Sequence, residues 1–391
     1  MSTTLTFAKA LNTALADEME SDSTVVVFGE DVGPLGGVFR ITDGLTARFG
    51  EERCFDTPLA ESGIMGMAIG MAMNGLRPVV EMQFDAFAYP AFEQVVSHVA
   101  KMPNRTKGKV KLPMVIRIPY AGGIGGVEHH CDSSESYYAH TPGLTVVAPA
   151  TVQDAYTMLR EAIRHPDPVV FLEPKKLYWS KEDLELESLR ESVGSFGRAV
   201  VAREGSDATL IAYGPSVSTA LNAAAAAAEE GRSLEVIDVR SIVPFDDETV
   251  AASVRKTGRA VVIAEAPGFA SVASEIVARV QERCFHSLAA PVLRVTGFDI
   301  PYPAPKRTGT RNGQASKPRL SLLSRPKKAD PETFSSATEH PAAMVAPSVP
   351  VGQRGAPARG SGQPLLLLSR GQSPLQHLQL LQRPIVRLGP P

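Results

Sequence analysis

The chain has 391 residues, which favours two domains, and its 40 Lys and Arg nearly balance its 42 Asp and Glu. Three cysteines are too few for a disulfide framework, and no apolar run reaches the roughly 18 residues of a membrane span. Residues 1–303 carry a net charge of −12, which argues against general binding to nucleic acid. We therefore expect a cytoplasmic protein with neither a membrane nor nucleic acid as a partner.

The first 303 residues alternate short β-branched runs with longer helical segments. The predicted strands are 24–28, 78–82, 114–118, 145–148 and 169–172, followed by 209–213, 234–239, 260–264 and 292–295. These runs are almost entirely apolar, which is typical of strands covered on both faces. The alternation predicts an α/β fold with parallel sheets and right-handed crossovers.

Two helices are predicted within the second series of strands. Ser216 is expected to cap a helix that runs through an alanine block to Gly231, a residue suited to a left-handed stop. An i, i+4 apolar stripe predicts another helix and consists of Val272, Ile276, Val280 and Cys284. The two series are separated by a charged stretch at 181–197 that we interpret as a linker. We therefore predict one domain over 1–185 and another over 186–303.

The last 88 residues differ in kind from the rest of the chain. Residues 304–391 contain 13 basic and 3 acidic side chains and 13 of the 31 prolines. No helical or strand periodicity is convincing there, and a proline-rich, polar composition cannot bury enough apolar surface to fold. This segment is predicted to be a disordered, basic, proline-rich tail.

A run of small and apolar residues after Asp56 holds one ionisable side chain. Thr57 followed by Pro58 predicts the start of a helix, and the Gly, Ala, Met and Ile residues beyond it are apolar on every face, so the helix is expected to be buried. Glu61 lies at its entrance. The carboxylate is either favoured there by the helix dipole, or it holds a ligand nitrogen that must be protonated in a dry environment.

Several segments together resemble one protein family. They are Phe28-Gly-Glu-Asp-Val, Leu59-Ala-Glu-Ser-Gly-Ile, Gly75-Leu-Arg-Pro-Val-Val-Glu-Met-Gln-Phe, Pro90-Ala-Phe-Glu-Gln, Ala139-His-Thr-Pro-Gly-Leu, Phe171-Leu-Glu-Pro-Lys and Arg240-Ser-Ile-Val-Pro-Phe-Asp. Over residues 3 to about 303 the chain resembles the beta chain of the thiamin diphosphate-dependent decarboxylase of 2-oxoacid dehydrogenase complexes. Gln83-Phe84 with residues 90–94 resembles the branched-chain enzymes more than the pyruvate enzymes.

The resemblance implies a fold and a cofactor site. The fold is a transketolase-like pyrimidine-binding domain over 1–185, then a transketolase C-terminal-like domain over 186–303, each a three-layer parallel-sheet domain. Glu61 would hydrogen-bond the pyrimidine ring nitrogen of thiamin diphosphate and so prepare the cofactor to lose its thiazolium proton. Leu59, Gln83 and Phe87 match positions around the pyrimidine, and Phe87 stands where known branched-chain relatives carry tyrosine.

A second group of polar residues follows the glycine-rich stretch 122–126. It comprises Glu128, His129, His130, Cys131, Asp132 and Glu135. Adjacent loop residues diverge and no second ligand group stands at zinc spacing, so we expect no metal site, and a surface histidine is the alternative. The resemblance matches His130 to the family's catalytic histidine, which transfers a proton during acyl transfer to lipoamide. His129 has no clear role.

Neither Gly-Asp-Gly nor Asn-Asn occurs in the sequence, although enzymes of this cofactor class bind magnesium and diphosphate through such a motif. The chain can therefore offer only the pyrimidine half of the site. The family's arrangement of two alpha and two beta chains implies that an alpha partner holds most of the magnesium and diphosphate site. A lipoyl acyltransferase core is the implied acceptor of the acyl group. The resemblance also implies a structural potassium ion, bound at positions that include those matching Leu112, Met114 and Asp167.

We predict a branched-chain 2-oxoacid dehydrogenase beta chain that is active only with its alpha chain. A pyruvate or acetoin dehydrogenase beta chain is the alternative within the class. Outside the class, the chain would be a non-catalytic scaffold that joins the alpha chain to the acyltransferase core, or a nucleic-acid binder through its basic tail. The tail itself departs from the family after Pro303. It is either an appended arm or the product of a reading-frame slip near residue 304.

Overall fold

The computed structural model describes residues 2–126, 129–191 and 194–302, and the predicted tail lies outside these ranges. The α-helices of the described part are α1 (Phe7–Ser21), α2 (Leu45–Phe49), α3 (Glu61–Met73), α4 (Tyr89–Gln94), α5 (Met102–Arg105), α6 (Glu135–Ala139), α7 (Val152–Arg164), α8 (Leu186–Leu189), α9 (Ser216–Glu229), α10 (Asp247–Thr257) and α11 (Val272–Cys284). A π-helical turn, Val95–Val99, follows α4. In this part of the chain no helix is long and apolar enough to cross a membrane.

The strands form two large sheets and one small one. They are β1 (Thr3–Thr6), β2 (Val25–Gly29), β3 (Cys54–Asp56), β4 (Arg77–Glu81), β5 (Val115–Tyr120), β6 (Thr145–Val147), β7 (Val169–Pro174), β8 (Lys181–Leu184), β9 (Val200–Arg203), β10 (Ala208–Ala212), β11 (Leu234–Asp238), β12 (Ser241–Val243), β13 (Ala260–Pro267) and β14 (Leu293–Gly297). Every predicted strand is present within a few residues of its expected ends. The apolar runs were therefore a correct guide to the sheets.

The first large sheet has the order β12-β6-β7-β5-β4-β2-β3 over the described residues. Its strands are parallel except for β12, which pairs antiparallel with β6. In the register, Phe28 lies opposite Val80, and Val80 lies opposite Ile116. Separate apolar clusters fill the two faces, so the central strands are buried throughout. This is the expected consequence of helices covering both sides of a parallel sheet.

The second large sheet has the order β14-β13-β10-β11-β9 in the same described part. It is parallel except at β9, which pairs antiparallel with β11. Helix α11 buries its predicted stripe, Val272, Ile276, Val280 and Cys284, against this sheet. The α/β prediction with two parallel sheets is therefore confirmed, with an antiparallel strand at one edge of each.

One sequence prediction of local structure is wrong. Ser216 is the first residue of α9 rather than its cap, because Pro215 takes the N-cap position without a side-chain hydrogen bond. The stretch 181–197, interpreted as a linker, contains β8, which pairs with β1. Strand β12 comes from the second half of the chain but extends the first sheet. Gly231 does adopt the expected left-handed conformation, with φ 74°.

Helix α3 also differs from its prediction. It begins at Glu61 and not at Thr57, because the amide of Thr57 donates to Gly29 O at 2.9 Å and prolongs the pairing of β3 with β2. The helix is buried only along one face, by Ile64, Met65, Ala68, Ile69 and Ala72. Its opposite face is exposed in this chain and consists of Ser62, Gly63, Gly66, Met67, Gly70 and Met73. We call this opposite side the glycine face of α3.

Candidate active site

The predicted site residues follow neighbouring parallel strands. Glu61 opens α3 after β3, Gln83 and Phe87 follow β4, and His130 follows β5. These strands are consecutive in the order β5-β4-β2-β3. The carboxyl ends of parallel strands meet at one edge of a sheet, which is where open α/β sheets bind ligands. The fold therefore brings these residues to one edge.

A carboxylate cluster forms at this edge beside Glu61. Glu30 directly follows β2 and is only 4% exposed. Within the described chain its Oε1 atom has no hydrogen-bond partner. Burial, together with the negative charges of Glu61 and Asp31, raises the pKa of Glu30 from 4.5 to about 7. The cluster therefore holds a buried carboxyl that titrates near neutral pH, next to Glu61.

Gln83 joins this cluster through Asp31. Its Nε2 atom donates to Asp31 Oδ2 at 2.9 Å. Asp31 itself adopts φ 58°, and its carbonyl accepts a hydrogen bond from the amide of Gly37 at 2.7 Å. The loop after β2 is thereby folded back over the end of the sheet. Gln83 is held in place by this loop and remains half-buried.

An aromatic cluster holds the imidazole of His130. The ring of Phe84 lies 4.5 Å from the His130 ring, centroid to centroid, and the ring of Phe87 lies 5.2 Å from it. Phe84 and Phe87 also contact each other edge to face at 5.5 Å. Such edge-to-face contacts orient a ring as well as bury it. Phe87 and His130 are therefore in direct contact at the site.

A buried lysine and a buried aspartate lie next to this aromatic cluster. Lys175 Nζ stands 3.9 Å from Asp85 Oδ1, and both side chains are fully buried. Lys175 Nζ also lies 5.8 Å from the centroid of the Phe84 ring and donates to Pro119 O at 3.2 Å. Burial raises the pKa of Asp85 to about 8 even though Lys175 lowers it. Phe84 therefore contacts both Lys175 and His130.

A buried arginine with two buried carboxylates lies on neighbouring strands of the first large sheet. Arg117 on β5 donates from Nη1 to Glu81 Oε2 at 2.7 Å and from Nε to Glu173 Oε1 at 2.6 Å. None of the three side chains is more than 3% exposed. Burial raises the pKa of Glu81, while the charge of Arg117 lowers it. These ion pairs join β4, β5 and β7. Loops that carry site residues follow β4 and β5.

Comparison with known proteins identifies the family. The transketolase pyrimidine-binding domain matches residues 3–180, and the transketolase C-terminal domain matches residues 197–311. A pyruvate dehydrogenase E1 component subunit beta from Leifsonia xyli is 54% identical over 302 residues, 77% of this chain and 89% of that protein. The chain belongs to the family of 2-oxoacid dehydrogenase E1 beta subunits. The resemblance inferred from the motifs is thus confirmed.

Two further relatives of this E1 beta subunit are informative. A 3-methyl-2-oxobutanoate dehydrogenase subunit beta from Mycobacterium tuberculosis is 53% identical over 300 residues, 76% of this chain and 85% of that protein. A solved structure described as a split gene transketolase, inactive beta4 tetramer, has a TM-score of 0.61 and 24% identity, covering 76% of this chain and 89% of its own. This last similarity concerns the fold alone.

The E1 beta subunit brings most of the predicted site residues together, but not all. Glu61 joins the carboxylate cluster through Glu30 and Gln83 joins it through Asp31, and Phe87 contacts His130 in the aromatic cluster. Leu59 is 80% exposed, so the chain by itself does not pack it into the site. His129 faces solvent with φ 72°. Over the described residues no group of three or more His, Cys, Asp or Glu side chains could hold a metal ion.

Several residues of the site were not singled out from the sequence. Glu30, Asp31 and Lys175 stood only within family motifs, and Asp85 stood in none. The position of Glu30 directly after a buried strand, at the same sheet edge as Glu61, was a usable signal. No sequence signal indicated the pairing of Asp85 with Lys175, because 90 residues separate them in the chain.

Proposed function

We propose that this E1 beta subunit, with an alpha chain, decarboxylates branched-chain 2-oxoacids through thiamin diphosphate and transfers the acyl group to lipoamide. The observation that carries the proposal is Glu61, a half-buried carboxylate at the start of α3, beside a carboxyl that titrates near neutral pH and at the same edge as His130. A pyruvate dehydrogenase beta chain is the second candidate, because relatives of both names have nearly equal identity.

The residues of this edge fit the pyrimidine half of thiamin diphosphate. Glu30 Oε1 is buried and lacks a partner in the described chain, which indicates a polar site that is incomplete without a ligand or partner. Glu61 would hold a proton against the pyrimidine ring nitrogen, and Gln83, Phe87 and the exposed Leu59 would surround the ring. When bound, the cofactor supplies the electron sink for decarboxylation.

Glu30 supports the work of Glu61 through charge. With a pKa of about 7, Glu30 is largely protonated below neutral pH and carries no charge there. A neutral Glu30 adds no second negative charge beside Glu61. In this proposal Glu61 holds the proton against the pyrimidine ring nitrogen, and Glu30 sets the charge beside Glu61.

His130 is proposed to transfer a proton when the acyl group passes to lipoamide. Histidine is the side chain that most often serves as a general acid or base, because its ring nitrogens can both donate and accept a proton. The contacts with Phe84 and Phe87 fix the direction of the His130 ring. In this proposal Glu61 serves the decarboxylation step, and His130 serves the acyl-transfer step.

The alpha partner is proposed to supply the magnesium and diphosphate half of the site. The sequence lacks the Gly-Asp-Gly motif for that half, and the glycine face of α3 lies beside Glu61 and is exposed. Apart from the neighbouring backbone of α3, ideal Cβ atoms at Gly66 and Gly70 would have no described atom within 4 Å, so packing within this chain does not require glycine there. Close approach by another chain would explain them. Met73, 53% exposed, extends the same apolar face.

Three smaller proposals follow from the sequence. A lipoyl acyltransferase core is the acyl acceptor, and a potassium ion binds backbone oxygens near Leu112, Met114 and Asp167. A cytoplasmic location agrees with three cysteines that are free and buried, Cys54, Cys131 and Cys284. A scaffold without catalysis is disfavoured, because such a protein has no use for a titrating carboxyl beside Glu61.

The proposal is tested by co-expressing the chain with its alpha partner. The purified pair is assayed for decarboxylation of 3-methyl-2-oxobutanoate and of pyruvate, with thiamin diphosphate and magnesium present. We expect kcat/KM to be higher for the branched substrate by about tenfold or more, as one or two buried methyl groups allow. Higher kcat/KM for pyruvate would favour the second candidate. Inactivity with every 2-oxoacid would favour the scaffold.

A further inference from the structure

The stretch that carries His130 runs from the end of β5 to the start of α6, and its two ends contact the second sheet domain. At the first end, the amide of Gly122 donates to Glu265 Oε1 at 2.5 Å. At the second end, Glu135 Oε1 accepts a hydrogen bond from Tyr213 Oη at 2.8 Å. Glu265 belongs to β13 and Tyr213 follows β10. Both contacts join the half of the chain before the linker to the half after it.

The first contact is built into tightly packed backbone. Ala121 adopts φ 63°, and its amide donates to Asp132 O at 2.7 Å, which closes the stretch on itself. A Cβ atom at Gly122 would collide with the ring of Tyr302. The packing of Tyr302 against Gly122 therefore leaves no room for a side chain beside the amide that donates to Glu265. This end of the stretch has little freedom to shift.

The second contact is fully buried. Tyr213 is 2% exposed and Glu135 is 1% exposed. Burial raises the pKa of Glu135, and among the described residues its second oxygen, Oε2, has no hydrogen-bond partner. Loss of the Tyr213 hydroxyl would remove the side-chain hydrogen bond of this buried carboxyl, which a buried polar group tolerates poorly. The hydrogen bond from Tyr213 thus joins the start of α6 to the second sheet domain.

We propose that Tyr213 and Glu265 are positioning residues for His130. They belong to the second domain and hold the two ends of the stretch that presents His130 to the first domain's site. Acyl transfer then depends on the second domain, whereas decarboxylation at the carboxylate cluster around Glu61 does not. The inference rests on the proposed role of His130 and adds two residues to it.

The test uses the assembled alpha and beta chains with four beta-chain variants. Tyr213→Phe and Glu265→Ala each remove one contact, and Glu265→Gln keeps an oxygen that can accept from Gly122. Tyr156→Phe is the matched control, because the Tyr156 hydroxyl donates to the carboxylate of Asp17 at 2.6 Å on the far side of the first sheet. Each variant is assayed for decarboxylation with an artificial electron acceptor and for acylation of a free lipoyl domain.

We expect Tyr213→Phe and Glu265→Ala to slow lipoyl acylation about tenfold, while the decarboxylation rate stays within about twofold of the unaltered enzyme. A small displacement of His130 lowers the rate of the step that uses His130 more than the rate of the other step. Glu265→Gln and Tyr156→Phe should preserve the ratio of the two rates. Equal losses in both assays at matched melting temperatures would show a merely structural role. An unchanged ratio in Tyr213→Phe and Glu265→Ala would likewise overturn the proposal.

Hydrogen exchange of the full chain provides a readout that does not need activity. Amides in peptides covering 121–126 and 135–139 should exchange faster in Tyr213→Phe and Glu265→Ala than in Tyr156→Phe. Unchanged exchange there would contradict the anchoring itself. If the unaltered pair decarboxylated no 2-oxoacid, the proposed function would fall, and the exchange result would then decide the anchoring alone.

Discussion

Glu30 lies beside Glu61 at the carboxyl edge of the first sheet, and the charge of Glu61 adds to burial in raising the pKa of Glu30 to about 7. In the unfolded chain the same carboxyl has its ordinary pKa of 4.5. Between these two values the folded state binds more protons than the unfolded state. The contribution of Glu30 to stability is therefore greatest below about pH 4.5 and declines as the pH rises through 7.

Replacing Glu30 by Gln should remove this decline. The free energy of unfolding of Glu30→Gln should fall less between pH 5 and pH 8 than that of the unaltered chain, and one carboxyl accounts for at most about 1.4 kcal/mol per pH unit. Urea unfolding at several pH values measures the difference. Glu20→Gln is the control, since Glu20 is 65% exposed. Parallel pH curves for Glu30→Gln and the unaltered chain would contradict the raised pKa.

Arg117→Met should destabilise the chain strongly. The substitution would leave Glu81 and Glu173 buried without their cation, and breaking a buried ion pair by removing one partner costs about 3–5 kcal/mol. Arg48→Met is the matched control, because Arg48 and Glu20 form an ion pair at the surface. The control should change the free energy of unfolding by less than about 1 kcal/mol. Chemical denaturation of both variants measures these changes. Similar losses of unfolding free energy in Arg117→Met and Arg48→Met would contradict the importance assigned to the buried Arg117.

Gly66 offers a test of the glycine face of α3. Gly66→Ala should stabilise the separate chain by about 0.5–1 kcal/mol, because glycine in a helix interior is disfavoured and the added methyl meets no described atom. Gly66→Leu should weaken assembly with the alpha chain by blocking close approach. Denaturation and analytical ultracentrifugation measure the two effects. Full assembly of Gly66→Leu would show that the partner does not contact this face.

His130→Ala should separate the two halves of the reaction. In the assembled enzyme we expect acylation of a lipoyl domain to fall by about 10²-fold or more, as loss of a general acid–base group does. Decarboxylation with an artificial electron acceptor should fall much less. The neighbouring His129→Ala is the control, since His129 faces solvent. A comparable fall of both rates in His130→Ala would contradict the assignment of acyl transfer to this residue.

The sheets could be predicted because their strands are apolar on both faces. Runs such as 169–172 had no competing helical pattern, and the i, i+4 stripe ending at Cys284 was equally clear. The start of α3 could not be predicted from Thr57 and Pro58, because a backbone hydrogen bond to Gly29 holds Thr57 in extended pairing. The exposed face of α3 was missed because small apolar residues serve equally in a core and in an interface.

Part of the site could also be predicted from the sequence. Glu61 was identifiable as an ionisable group in an apolar run, and His130 needed the family resemblance. The contacts of Tyr213 with Glu135 and of Glu265 with Gly122 join residues far apart in sequence, and no local pattern encodes them. Such contacts depend on how the two domains pack, which hydrophobic periodicity does not specify.

The central claim is that Glu61 prepares the cofactor in a site completed by the alpha chain. It is tested most directly by the decarboxylation rate of the assembled enzyme carrying Glu61→Gln, at saturating thiamin diphosphate and magnesium, with Glu93→Gln at an exposed carboxylate as control. We predict that Glu61→Gln lowers the rate by about 10²–10³-fold or more, while Glu93→Gln leaves it unchanged. A rate for Glu61→Gln within about tenfold of the unaltered enzyme would contradict the claim.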